Sequence, residues 1–293
     1  MRVGETTYRR AESVDHALDL LDAHPDAEPL AAGHSLLSTE TVGATPPSTV
    51  VDIGDLDALR GIAVESDVTR IGALTTYRAV ERREDLPAST TVFSEAVGET
   101  ADVQIRNRAT IGGNLVTPYP VADLSAAVFV VDATLVAQDR GGERRLGSTE
   151  FLRPGGDGLD AGELLTAIEI PHPSESVGSA YLKGASPTSR YTLVGVAARL
   201  CVADGRVSDA RVAANGVTPH AVRLAAVEDE LAGERLDGSV VEAAAARAGE
   251  TLDPAVVRDD TDASSRFRTH LLAVYAERAL RSAAERAGVS IRG

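Results

Sequence analysis

The hydrophobic positions of residues 1–171 alternate between two spacings, one typical of short strands and the other of amphipathic helices. A helix is predicted from Ser13, a favourable N-cap, to the break at Pro25, because alanine and leucine recur at helical spacing between them. Residues 28–37 predict a strand, a tight turn and the start of a helix. The other elements predicted here are strands at 7–9, 49–53, 62–64, 69–72, 134–138 and 164–170 and helices at 76–83, 92–99 and 123–131.

Glycine and proline mark the breaks between these elements. Residues 107–115 predict a turn, and Gly155, Gly156 and Gly158 predict a loop. Proline, serine, glutamate and glycine cluster at residues 171–179, where we predict a domain boundary. Beyond it the pattern predicts strands at 179–183, 192–202 and 211–217 and helices at 240–248 and 265–287. The order predicts a larger α+β domain followed by a smaller one in which strands precede helices.

Net charge and composition limit the possible partners. The chain of 293 residues carries a formal net charge of −15, which disfavours nucleic acid and acidic membranes as partners of the bulk surface. No apolar run approaches the ~20 residues that span a bilayer, and the start has no apolar signal core, so we expect a cytoplasmic protein. Lys183 is the only lysine, and this acidic, lysine-poor composition suggests a high-salt cytoplasm. That hypothesis requires an unfolding midpoint that rises in molar salt.

The single cysteine narrows the chemistry further. Cys201 excludes a disulfide within the chain, and it excludes an iron–sulfur or zinc–thiolate site built from this chain alone. Its neighbours read as a buried strand, so we predict that it is a small core residue. The six histidines show no pair at metal-ligand spacing, and we predict no metal site.

Two glycine-bearing turns are the main candidates for binding chemistry. The first turn spans residues 31–35 (AAGHS), and the second turn spans residues 110–114 (TIGGN). Successive backbone N–H groups in such turns can converge on an anion. Either turn alone reads more simply as an ordinary tight turn, but the pair, followed by Asp123, predicts a grip on the two phosphates of a dinucleotide. The G-x-G-x-x-G signature is absent, which disfavours a standard NAD-binding unit.

At these residues the sequence resembles the FAD-binding domain of the molybdenum hydroxylases, a family that includes aerobic carbon monoxide dehydrogenase and xanthine dehydrogenase. The family's first motif is usually A-G-G-H/T-S/D, and here Ala32 replaces its first glycine. Residues 103–115 are almost the family consensus and depart only at Ala109. Family members often carry His-Ala-Asp where this chain has Thr-Pro-Tyr at residues 117–119. Further segments that resemble the family lie at 163–171, 180–183, 190–197, 215–223 and 262–268.

The resemblance implies a two-subdomain PCMH-type FAD-binding fold, similar to that of vanillyl-alcohol oxidase, at residues 1–174. Its subdomains would cover about 1–55 and 56–174, and a small α+β domain like the C-terminal domain of the carbon monoxide dehydrogenase flavoprotein would cover 175–293. The implied cofactor is FAD. Molybdopterin and [2Fe-2S] clusters are implied only on a large and a small partner subunit, in a dimer of heterotrimers. The implied FAD-binding residues are Ala31, Ala32, Gly33, His34, Ser35, Leu36, Thr110, Ile111, Gly112, Gly113, Asn114, Thr117, Asp123, Leu165, Lys183 and Tyr191.

Specific roles follow from the same resemblance. Asp123 would bond the ribityl or ring region of FAD, and Leu165 would lie against the isoalloxazine. Lys183 would place a positive charge near flavin N5 and O4; the alternative is a chance surface lysine. Tyr191 would lie on or beside the isoalloxazine, or would be a core tyrosine with a satisfied hydroxyl. Arg106 and Arg108 are interpreted as solvated arginines rather than phosphate ligands, and the acidic residues 253–262 as solvated surface or a docking face for partners.

Three functions are weighed on these residues. An FAD-binding electron-transfer subunit of a molybdenum hydroxylase is favoured, and it needs no catalytic acid or base on this chain. A non-catalytic scaffold that has lost FAD is allowed by Ala32 and the altered residues 117–119. A serine hydrolase is a remote alternative, because residues 33–37 resemble a G-x-S-x-G elbow but end in Leu37.

Overall fold

The computed structural model describes residues 6–37, 47–117, 122–153, 158–173, 176–188 and 190–291. The predictions for Pro118, Tyr119, Gly155 and Gly156 lie outside these residues. The mixture of helices and strands confirms the predicted α+β class. Within the described ranges, no helix is both long and apolar enough to cross a membrane.

The first subdomain is a three-stranded parallel sheet in the order β1-β3-β2. Ser13 caps its helix by accepting a hydrogen bond from the N–H of His16, as predicted. Leu18 and Leu21 of that helix and Val51 of the sheet are buried in one core. The first turn leaves the sheet where the carboxyl ends of the parallel strands meet, an edge at which open α/β sheets commonly bind ligands. The elements are β1 (Thr7–Arg10), α1 (Val14–Ala23), β2 (Ala27–Leu30) and β3 (Thr49–Asp52).

The second subdomain is a five-stranded antiparallel sheet in the order β4-β5-β8-β6-β7. Its strands are β4 (Ile62–Val64), β5 (Val68–Gly72), β6 (Thr134–Asp139), β7 (Gly142–Gly147) and β8 (Leu164–Pro171). Val136 pairs with Ala167 and Ala137 pairs with Leu165, so Thr166 is the extra residue of a β-bulge beside Leu165.

Short helices connect the strands of this second subdomain. They are α2 (Tyr77–Glu81), α3 (Thr91–Glu99), α4 (Val103–Arg106), α5 (Ile111–Leu115), α6 (Asp123–Val130) and α7 (Ser148–Phe151). Every residue of α6 is buried, including its first residue, Asp123. A buried charge at a helix start requires partners, and most of these come from the next domain.

The C-terminal domain is an antiparallel sheet in the order β12-β11-β10-β9, covered on one face by helices. Alternate residues of its strands face opposite sides. Tyr181 and Ala197 join the core of the preceding domain, whereas Ala180 and Val196 join the core formed with the helices. The elements are β9 (Ser176–Ala185), β10 (Thr192–Ala203), β11 (Arg206–Asn215), β12 (Val222–Arg223), α8 (Ala225–Leu231), α9 (Gly238–Ala246) and α10 (Ser265–Arg286).

Several elements differ from their prediction for local reasons. Residues 107–115 contain α5, which forms although glycine is a poor helix former, because Thr110 caps it. β7 was not predicted, because this edge strand carries charged residues in place of an apolar alternation. β9 begins at Ser176, inside the predicted boundary, so the break between the domains is shorter than predicted. Cys201 is 3% exposed in β10, which confirms it as a core residue.

Candidate functional site

The first turn has the backbone needed to bind an anion. Gly33 has a φ of +77°, a conformation that side chains rarely adopt, and a Cβ there would lie 2.9 Å from the side chain of Leu37. Among the described residues, the N–H groups of Ala32 and Gly33 have no hydrogen-bond partner. Ala32 itself has no positive φ, so the alanine that replaces the family's first glycine fits this backbone.

The second turn does not present a row of open donors, and this part of the prediction is wrong. The N–H of Ile111 donates to Thr75 O at 3.0 Å, and the N–H of Gly112 donates to Ala73 O at 2.7 Å. The N–H of Gly113 is capped by Thr110 Oγ1 at 3.3 Å. These N–H groups therefore hold the turn against residues 73–75. The N–H groups of residues 111–114 are all paired, whereas those of Ala32 and Gly33 in the first turn are open to an anion.

The structure nevertheless places the two turns side by side. A Cβ on Gly113 would lie 3.9 Å from Ala31 Cβ, an ordinary contact distance, and 2.8 Å from Thr110 Oγ1, so glycine at 113 leaves room for the Thr110 cap. A side chain that follows the second turn also holds it in place, because Thr117 Oγ1 donates to Gly113 O at 2.6 Å. The two turns are therefore neighbours in the fold, as predicted. The first turn has open N–H donors, and the second turn borders the same space.

Asp123 is the centre of a buried polar cluster. Its side chain is 2% exposed, and its Oδ2 accepts a hydrogen bond from Lys183 Nζ at 2.8 Å. Its Oδ1 accepts from Tyr181 Oη and Thr192 Oγ1, both at 2.6 Å, and from Asn215 Nδ2 at 3.3 Å. Buried carboxylates require such compensation, and here the three shortest hydrogen bonds come from the C-terminal domain, while Thr100 Oγ1 of the larger domain lies 3.2 Å from Oδ2.

Lys183 is a buried partner of this carboxylate and not a chance surface residue. Its side chain is 5% exposed. An ammonium has three N–H donors, and two are assigned, to Asp123 and to Glu99 O at 3.0 Å. Among the described residues, the third donor has no partner. A buried ammonium with a spare donor is suited to binding a polar atom of a ligand.

Tyr77 links the second turn to the Asp123 cluster. Burial raises the pKa of Tyr77, and the negative charge of Asp123 raises it further, while a hydrogen bond from Asn114 acts in the opposite direction. The hydroxyl therefore stays protonated. The Oδ1 atom of Asn114 is buried and has no hydrogen-bond partner in the described part of the chain. Such an orphaned buried acceptor is costly unless a ligand donates to it.

The other predicted residues lie in varied surroundings. Leu165 is 5% exposed beside the β-bulge, Ser35 is exposed, and His34 and Leu36 are partly buried. Tyr191 is 54% exposed, so the alternative of a core tyrosine is wrong.

The prediction of a solvated Arg106 is also wrong. The Arg106 side chain is 15% exposed, pairs with Glu81, and donates to Ala101 O at 2.8 Å. These contacts fix the connection between α3 and α4.

Two acidic residues of the segment 253–262 form hydrogen bonds with other parts of the chain. Asp260 accepts two hydrogen bonds from Arg268, at 2.7 and 2.8 Å, and Asp262 accepts one from Ser186 at 2.8 Å. Desolvation alone would raise the pKa of Asp260, but the hydrogen bonds from Arg268 and the Ala263 N–H lower it. Both residues are exposed, as the prediction of solvated surface requires, and their hydrogen bonds also attach the segment to Arg268 and Ser186.

A separate cleft of about 430 Å³ lies near α1 and the edge of the five-stranded sheet. Arg60, Arg70, Gln138, Glu143 and Thr166 are among its lining residues, and none of the predicted cofactor residues lines it. Both arginines already pair with neighbouring carboxylates. The chemistry of the turns and of the Asp123 cluster therefore lies elsewhere.

With this geometry in hand, comparison with known proteins identifies the family. Residues 4–173 match the FAD binding domain in molybdopterin dehydrogenase, and residues 179–283 match the CO dehydrogenase flavoprotein C-terminal domain. The chain belongs to the family of FAD-binding subunits of the molybdenum hydroxylases. It is an oxidoreductase component, and its cofactor is FAD.

Individual relatives share this architecture over nearly their whole length. The chain is 31% identical to the carbon monoxide dehydrogenase medium chain of Hydrogenophaga pseudoflava, covering 94% of this chain and 96% of the relative. It is 29% identical to the xanthine dehydrogenase FAD-binding subunit of Escherichia coli O157:H7, with coverages of 96% and 97%. A solved chain of the Hydrogenophaga pseudoflava carbon monoxide dehydrogenase superposes with a TM-score of 0.90 at 30% identity, covering 98% of this chain and 99% of that one.

The residues present fit FAD in three independent respects. The first turn offers the open N–H groups of Ala32 and Gly33 to an anion. The buried Oδ1 of Asn114 lacks a donor among the described residues, and Lys183 keeps a spare one. A pyrophosphate, a ribityl chain with hydroxyl groups and a polar ring edge supply the complementary chemistry.

The fold also brings in residues that were not singled out from the sequence. Tyr181, Thr192 and Asn215 hold the Asp123 carboxylate, and each lies in a segment that resembles the family although none was named as a site residue. The available signal was alternation: Tyr181 and Lys183 are two residues apart in one strand, so both point to the same face.

Proposed function

We propose that this chain receives electrons from iron–sulfur clusters on a partner subunit and passes them, through FAD held at this site, to an external acceptor. FAD suits this position because it accepts single electrons and can hand on two. The observation that carries the proposal is the buried Lys183 ammonium, which has a spare donor beside a fully buried carboxylate. A cation kept there favours negative charge on a bound ring system.

We assign the parts of the site as follows. The N–H groups of Ala32 and Gly33 bind the pyrophosphate, and Gly113 leaves it room against the second turn. Asn114 accepts a hydrogen bond from the sugar or ribityl hydroxyls. Lys183 donates to the polar edge of the flavin ring. The remaining predicted residues, among them Leu165 and Tyr191, border the ring.

The same proposal extends to the assembly. The relatives are medium chains or subunits of multi-subunit enzymes, such as the nicotine 6-hydroxylase medium subunit of Paenarthrobacter nicotinovorans. We propose a molybdopterin-binding large subunit and a [2Fe-2S] small subunit as partners, arranged as a dimer of heterotrimers. The net charge of −15 disfavours nucleic acid as a further partner of this assembly.

Neither alternative function gains support from the geometry. The scaffold alternative rested partly on Ala32, whose backbone does not need a glycine. The hydrolase alternative rested on Ser35, which lies exposed on the first turn of a chain that belongs to a flavoprotein family. A fluorophosphonate probe that fails to label Ser35 is the expected result.

The function is tested on the purified full chain by titration with FAD and then by anaerobic reduction. We expect one FAD bound per chain, a visible flavin spectrum, bleaching by dithionite, and recovery of the spectrum when a dye acceptor is added. Lys183→Met tests the assignment of the ammonium, with Arg10→Met as a control that removes an exposed cation. A colourless protein that takes up no added FAD would refute the proposed function.

A further inference from the structure

The hydroxyl of Tyr181 is a buried donor to the carboxylate of the Asp123–Lys183 pair. Tyr181 is 1% exposed, and its Oη lies 2.6 Å from Asp123 Oδ1. Burial raises the pKa of Tyr181, and the charge of Asp123 raises it further, so this hydroxyl keeps its proton and acts as a donor. A hydrogen bond to a charged carboxylate is stronger than one between neutral groups.

The fold reserves space for this hydroxyl. Tyr181 Oη also lies 3.1 Å from Asn215 Oδ1, and the Asn215 amide donates to the same carboxylate oxygen of Asp123. Between these residues the middle strand carries Gly195, and a Cβ there would collide with both Tyr181 Oη and Asn215 Oδ1. A glycine inside a strand often marks such a close approach. Gly195 therefore leaves the space in which the Tyr181 hydroxyl and the Asn215 amide both reach Asp123.

The arrangement also spans the two domains. Asp123 belongs to the helix α6 of the larger domain, whereas Tyr181, Lys183 and Asn215 belong to the sheet of the C-terminal domain. Tyr181 and Lys183 hold different oxygens of the carboxylate, Oδ1 and Oδ2. If Oδ1 loses a donor, the carboxylate carries more uncompensated charge and draws the ammonium more strongly.

We propose that Tyr181 is a positioning residue for the flavin: through Asp123 Oδ1 it fixes the carboxylate and thereby keeps the third N–H of the Lys183 ammonium directed at the cofactor. The proposal rests on the proposed function. Without the Tyr181 donor, Asp123 competes for the ammonium, and the reduced flavin loses part of its positive neighbour. The predicted consequence is a flavin that is harder to reduce, although Tyr181 itself is not assigned a contact with the cofactor.

The test uses the FAD-loaded full chain and compares Tyr181→Phe with the wild type. The bound flavin is equilibrated anaerobically with a redox dye, and the ratio of oxidised to reduced flavin is read from the spectrum at one fixed dye ratio. We expect Tyr181→Phe to raise this ratio about tenfold, the size of one lost charge-assisted hydrogen bond. Tyr275→Phe is the matched control, because Tyr275 packs with the core on the opposite side of the sheet.

Two further variants keep the proposal testable if Tyr181→Phe does not fold or if its effect does not act through Asp123. Thr192→Val removes the other 2.6 Å donor to Asp123 Oδ1 and should shift the ratio in the same direction, so it decides the question if Tyr181→Phe does not fold. In an Asp123→Asn background, Tyr181→Phe should cause no further shift, because residues that act through one group are not additive.

The outcomes separate this proposal from the function on which it rests. A wild-type chain that binds no FAD refutes the proposed function. A wild type and variants that all bind FAD, with the flavin ratio unchanged in Tyr181→Phe and Thr192→Val, overturn the positioning role. A shift of equal size in Tyr275→Phe overturns it as well, because the effect would then be a general consequence of losing a hydroxyl.

Discussion

Replacing Lys183 by methionine removes the cation of the most deeply buried ion pair that the structure describes while keeping much of the side-chain volume. The Lys183 and Asp123 side chains are 5% and 2% exposed, and their charged atoms lie 2.8 Å apart. Removing one partner of a buried pair costs about 3–5 kcal/mol, because the other charge stays buried without compensation. Tyr181 and Thr192 still donate to Asp123, so we expect the lower end, about 3 kcal/mol.

The assay is urea unfolding of the full chain, followed by circular dichroism at several wavelengths. Arg10→Met is the matched control, since Arg10 and Asp55 form a pair of nearly equal length, 2.7 Å, with side chains 62% and 72% exposed. That control should cost less than about 1 kcal/mol. The double variant Lys183→Met/Asp123→Asn should recover part of the loss, because no buried charge remains. Equal, small losses in Lys183→Met and Arg10→Met would show that the buried pair stabilises the fold no more than the exposed pair does.

Three further predictions concern single sites. Gly33→Ala should weaken FAD binding at least tenfold in a fluorescence titration, because its φ is +77°, and unchanged affinity would contradict the assignment of the first turn. Gly178→Ala should lower the unfolding free energy by about 3 kcal/mol, because its Cβ would collide with Ala283 O. A decrease below about 1 kcal/mol in the unfolding free energy, measured by urea titration, would contradict this packing. Arg268→Leu should cost about 3 kcal/mol, because the carbonyl oxygens of Leu193 and Gly216 each lose a buried donor. It should also flatten acid unfolding, since the depressed pKa of Asp260 stabilises the fold above its unfolded pKa and that gain disappears as pH falls. An acid transition identical to that of the wild type would contradict the last prediction.

The extent to which the fold could be predicted depends on how locally each element is specified. The helix that begins at Ser13 and the strand at Thr49–Asp52 carry both their hydrophobic spacing and their end signals within about ten residues, and both were predicted. The edge strand Gly142–Gly147 has charged residues at positions where a central strand has apolar ones, so its sequence gives no alternation to detect.

In the site as well, features fixed by neighbouring residues could be predicted, whereas contacts between residues far apart in sequence could not. Gly33 of the first turn is readable because its φ of +77° favours glycine, whereas Gly112 of the second turn is required by its close approach to Ala73. The direction of the N–H groups in the second turn was not readable, since it depends on residues 73–75, which are far away in sequence. The pairing of Asp123 with Lys183 links residues sixty positions apart across two domains, and only the fold brings them together.

The buried cluster also explains why one lysine persists in a chain whose other basic residues are arginine. A compact ammonium fits between Asp123 Oδ2 and Glu99 O, whereas a planar guanidinium needs a wider, forked site. The single lysine is therefore a consequence of local geometry as well as a candidate functional group.

The central claim is that FAD lies between the first turn and the Asp123–Lys183 pair. A crystal structure of the full chain grown with FAD tests it most directly. We expect the pyrophosphate within hydrogen-bond distance of the N–H groups of Ala32 and Gly33, and a polar atom of the flavin ring within the same distance of Lys183 Nζ. FAD bound in the cleft lined by Arg60 and Arg70, or a flavin ring out of reach of Lys183, would contradict it.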